Sequence, residues 1–76
     1  MLKVRTVSAN NLFGFRYFEI DFENEHGKYV ATRDVPLVKL KRLEVAKTMN
    51  AFKKVRTWAE SEAGQKELDI REEDYV

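Results

Sequence analysis

Leu2, Val4 and Thr6 alternate with Lys3, Arg5 and Val7, the period of two that marks a β-strand. Asn10-Asn11 tolerates left-handed backbone and predicts a turn. Leu12 to Phe22 is rich in aromatic and β-branched residues and predicts a second strand. Its even positions, Phe18, Ile20 and Phe22, share one face. Its odd positions, Phe13, Phe15 and Tyr17 and then Glu19 and Asp21, share the other. Glu23 to Gly27 reads as a hairpin loop, and Lys28 to Arg33 returns as a third strand.

Pro36 biases Val35 to extended geometry and fits the first turn of a helix. Residues 37–41 suit either a short fourth strand or a helical start. From Glu44 to Ala63 the period becomes helical, with Val45, Met49, Phe52, Val55 and Ala59 on one stripe. Phe52 is thereby expected at the centre of the core. Gly64 follows as a C-terminal cap, and Gln65 to Val76 is mostly charged.

These elements predict one α+β domain of β-β-β-α order: a three-stranded, or four-stranded, antiparallel sheet packed against one long C-terminal helix. The domain is expected over residues 1–64, with an acidic tail over 65–76. A chain of 76 residues holds a single small domain. Leu, Ile, Val and Phe make up 21 of those residues, enough to build a core. Zero Cys excludes a disulfide scaffold and thiol chemistry. Met1 to Val7 lacks the apolar run of a secretory leader, and no stretch is long enough for a membrane span. A soluble, cytoplasmic protein is the expectation, with no membrane partner.

Charge changes this picture. The formal net charge is +1. Residues 39–59 carry seven basic side chains against Glu44 alone, whereas residues 60–76 carry seven acids against Lys66 and Arg71. On a helical wheel Lys39, Arg42, Lys47, Asn50, Lys53 and Lys54 gather opposite the apolar stripe. Clustered Lys and Arg on one helical face is the footprint of phosphate binding, and a central Asn has an amide suited to adenine. The expected partner is therefore nucleic acid, or a protein complex associated with nucleic acid. A plain solvated Lys-rich face accounts for the same pattern.

The strand carrying Phe15, Arg16 and Tyr17 supplies a second candidate surface, because exposed aromatic rings stack bases. Phe13-Gly14-Phe15 with Phe18 resembles the central-strand signature of the RNA-recognition motif, and its position after a first strand resembles the start of cold-shock domains. The likeness covers the first 18 residues. An RNA-recognition motif needs a strand, a helix and a strand before this point, and a cold-shock barrel has no helix, so neither family is assigned.

Trp58, at the border of the basic and apolar faces, and Tyr75, near the terminal carboxylate, are the candidates for a protein interface. An edge strand offers a route to a homodimer. The competing function is thus a small interaction module, such as an inhibitor or adaptor of a larger assembly. His26 is the only His and sits in the hairpin loop; with no Cys, no phosphate loop and no ligand pair, neither catalysis, a metal, a cofactor nor a small-molecule substrate is expected.

Overall fold

A computed structural model describes residues 1–42, 51–71 and 73, with side chains placed for all of these except 40–42. Three antiparallel strands, β1 (Lys3–Leu12), β2 (Phe15–Glu23) and β3 (Tyr29–Pro36), form a meander with β2 in the centre. Among the described residues three helical segments follow: α1 (Leu37–Arg42), α2 (Ala51–Ala59) and α3 (Glu62–Glu67). The class is α+β.

The faces of β2 follow the alternation in the sequence. Phe18, Ile20 and Phe22 are buried with Leu2, Val4, Val35, Val55, Ala59 and Leu68. Burying that apolar area at roughly 25 cal/mol per Å² is what holds so small a sheet to its helices. β1 departs from simple alternation. Its register with β2 shifts between Val4 and Thr6, a bulge that leaves Arg5 extra. Beyond it, Val7 rather than Thr6 packs against the core.

Several sequence expectations are corrected. The first turn is not Asn10-Asn11, which pair with Tyr17 and Arg16 inside the sheet. It is Phe13-Gly14, three residues later, with φ of 51° and 85°. These signs define the mirror-image turn whose twist matches a two-residue hairpin. Asn11 serves the turn instead, its Oδ1 accepting from the Gly14 N–H at 3.1 Å. Residues 37–41 are helical and form no fourth strand.

The single long helix is not present among the described residues. α2 stops at Ala59, and Ser61 caps α3 by accepting from the Gly64 N–H at 3.0 Å. Gly64 is therefore no terminal cap: it lies buried inside α3, so close to Trp58 that a Cβ would overlap the Trp58 carbonyl. Gln65, Leu68 and Ile70, which the composition assigns to the acidic tail, pack against the core. Phe52 is 51 % exposed and meets the core through an edge-on contact with Phe18, ring centroids 5.5 Å apart. Val45 and Met49 lie outside the described residues.

Candidate functional site

The tip of the β1–β2 hairpin carries the largest exposed apolar side chains of the sheet. Phe13 is 96 % exposed, Phe15 77 % and Leu12 57 %. Scattered apolar residues on a surface are ordinary, but a contiguous group of this kind marks an interaction site. Backbone geometry adds a second cost at the same place. Phe13 occupies the left-handed region, which a bulky side chain rarely adopts and which Asn or Gly fills more easily. Nothing buried compensates, because the ring projects into solvent.

β3 completes the site. Pro36 pairs with Tyr17, so the end of β3 lies beside the aromatic residues of β2. Leu12, Phe13, Phe15, Tyr17 and Pro36, together with the charged Arg16 and Asp34, line an open groove of about 420 Å³. The groove is on the face of the sheet turned away from the helices. Sequence reasoning found Phe15, Tyr17 and Arg16, and the structure brings these three together. Sequence reasoning also set Phe13 on the face of Phe15 and Tyr17, without naming it as a contact, and it did not find Leu12 or Pro36. The uninterrupted apolar run Leu12-Phe13-Gly14-Phe15 was the available signal.

The rest of that face is acidic. Glu19 stands directly opposite Asp34, a like-charge pair across two strands. Next to it Asp21 accepts hydrogen bonds from both Thr6 Oγ1 and Thr32 Oγ1, and Tyr29 Oη bonds to Thr32 Oγ1 at 2.8 Å. The Thr32 hydroxyl, then the Thr6 hydroxyl, hold the Asp21 carboxyl below its ordinary value, with Arg5 adding to the effect.

The basic helix face is only partly described. Lys53 and Lys54 are exposed on α2. Lys39 sits on α1 with its Nζ 2.8 Å from Glu67 Oε1 and is mostly covered. Arg42 ends α1, its side chain outside the described residues, as are Lys47, Asn50 and Tyr75. Trp58 is half-buried and packs against the core. Among the described residues no three His, Asp or Glu gather to hold a metal, and no helix is long and apolar enough to cross a membrane.

Comparison with protein-family models, with curated proteins and with solved structures finds no match.

Proposed function

We propose that the chain is a non-enzymatic protein-interaction module that docks through its β1–β2 hairpin tip. The observation that carries this reading is Phe13, a phenylalanine in a left-handed turn position with 96 % of its surface in water. Both its conformation and its hydration disfavour it in the free chain, so its benefit lies in a complex. Phe13 and Phe15 are aromatic anchors of the kind that dominate interfaces when they enter a partner's pocket. Glu19 and Asp34 beside the groove favour Lys or Arg on the rim of that pocket.

The same carboxylates weigh against nucleic acid on this face, because a phosphate backbone laid over Phe15 and Tyr17 would meet Asp34 and Glu19. Nucleic-acid binding through Lys53 and Lys54 is the competing outcome.

One capture experiment tests both. Tagged chain is incubated with lysate of its own cells, with and without nuclease, and compared with Phe13→Asn/Phe15→Thr and with Lys53→Glu/Lys54→Glu. The expected result is a protein retained after nuclease, still bound at high salt, and lost with the tip variant alone. Binding that vanishes with nuclease or with the lysine variant, while the tip variant retains it, overturns the proposal.

A further inference from the structure

The two outer strands of the sheet are guarded differently. β3 ends in Pro36, carries Arg33 and Asp34, and has its Thr32 carbonyl taken by Arg33 Nη1 at 3.0 Å. These are the devices that keep an edge from pairing with another chain.

The first part of β1 is guarded as well. The Val4 N–H donates to Glu60 Oε2 at 2.9 Å, and Arg56 Nη1 donates to the Val4 carbonyl at 2.9 Å. Gln65 bonds both backbone groups of Leu2. Helix side chains thus replace a neighbouring strand as far as the bulge.

Beyond the bulge the guard stops. Val7-Ser8-Ala9-Asn10-Asn11-Leu12 contains no charge and no proline. The two-residue turn makes Leu12 and Phe15 a hydrogen-bonded pair, so Thr6, Ser8 and Asn10 also bond inward to β2. Val7, Ala9 and Asn11 then direct their N–H and C=O groups outward, and no hydrogen bond to them is found among the described residues. Along this edge lies α2. Glu60 and Arg56 reach Val4 and Arg56 also approaches the Arg5 carbonyl, so α2 runs along β1 with its earlier residues toward Val7; Lys53 lies on the same helix face, one turn before Arg56. Lys53 and its neighbour Lys54 make no ion pair among the described residues.

We infer that the outer edge of β1, from Val7 to Asn11, receives an extended segment of a protein partner as a fourth strand, and that this segment carries acidic side chains toward Lys53 on α2. The inference rests on the hairpin tip being the docking surface, since the added strand would run straight to Leu12 and Phe13. Main-chain bonds would give affinity, and the acids and the aromatic tip would give register.

The test is a titration of ¹⁵N-labelled protein with a synthetic seven-residue peptide of alternating Thr, Glu and Val ending in Phe, followed amide by amide. Saturable shifts largest at Val7, Ala9 and Asn11, with smaller ones at Ser8 and Asn10, are expected. Ala9→Pro removes the central outward donor at a position an edge strand tolerates, and should weaken binding about tenfold or more with the fold retained by circular dichroism. Should that variant unfold, Lys53→Glu serves in its place and should also weaken the peptide. No saturable shifts, shifts as large at Ser8 and Asn10 as at Val7, Ala9 and Asn11, or affinity unchanged in these variants, overturn the inference. So does a concentration-dependent dimer of the chain alone that protects the amides of Val7, Ala9 and Asn11, which would assign the edge to a second copy. Partner capture separates this inference from the tip reading: loss with Phe13→Asn/Phe15→Thr but not with Ala9→Pro leaves the tip standing and removes the edge.

Discussion

The side-chain amide of Gln65 pairs with the backbone of Leu2 as a neighbouring strand would. Its Nε2 donates to the Leu2 carbonyl at 2.7 Å and its Oε1 accepts from the Leu2 N–H at 3.3 Å, both bonds buried. One residue near the C-terminus thereby ties down the first strand.

Removing it should be costly. Gln65→Leu leaves two buried backbone groups without partners and is expected to lower stability by about 2–3 kcal/mol. Gln65→Glu should fare no better, because the donor to the Leu2 carbonyl is replaced by an acceptor. Urea midpoints of the two variants check this; a Gln65→Leu midpoint equal to wild type would mean the pairing contributes nothing.

Gly64→Ala tests the close approach of α3 to α2. The added Cβ would overlap the Trp58 backbone carbonyl, which has no flexible end to move. A loss of about 2 kcal/mol or more is expected. It should appear as a lower melting temperature together with altered Trp58 fluorescence.

Phe13→Asn should do the opposite. Asn is favoured at the left-handed first position of this turn, so the variant should gain about 0.5–1 kcal/mol while losing partner capture. Thermal melting and capture measured on one preparation decide it. A destabilised Phe13→Asn would show that the ring supports the fold.

Phe52 and Val55 should differ. Phe52 touches Phe18 with half of its surface in water, so Phe52→Ala is expected to cost about 1–2 kcal/mol. Val55 is fully buried, and Val55→Ala should cost about 2–3 kcal/mol despite removing fewer atoms. Equal losses in denaturant would place Phe52 deeper in the core than it is found.

Asp21 ties stability to pH. Its carboxyl is held below the ordinary value in the folded chain, so its contribution is present above the unfolded value and is lost as pH falls through the folded one. Thr32→Val removes the largest cause and should raise the Asp21 titration midpoint toward the ordinary 3.8. A carbon-detected NMR titration of Asp21 reads this directly, and an unmoved midpoint would assign the effect to Thr6 and Arg5.

Much of the sheet was legible along the chain, because strand alternation is a local property. Phe18, Ile20 and Phe22 had to share a face opposite Phe15, Tyr17, Glu19 and Asp21, and they do. The loop before β3 was legible for a similar reason: Asn24 Oδ1 accepts from the N–H groups of His26 and Lys28, and Gly27 takes a positive φ. Pro36 marked the passage from strand to helix.

The candidate site was legible only as residue types. Alternation sorts the aromatics onto two faces and marks Phe18, Ile20 and Phe22 as the partner of the helix stripe, but it does not say how far Phe13 and Phe15 stay uncovered. That was decided by Val55, Ala59 and Leu68 landing on Phe18, Ile20 and Phe22, which left Phe13 and Phe15 in water. The helical period ran from Glu44 to Ala63 with no visible break at Ser61, and Gly64 read as its cap, because the actual break is set by the Ser61 cap and by the space beside Trp58, neither a periodic feature. The bulge at Arg5 has the same origin: Arg56 and Glu60 reach Val4 from 52 and 56 residues away, a distance over which local sequence carries no signal. Local periodicity determined the strands and their faces; long-range packing decided where the helices break and which edge stayed open.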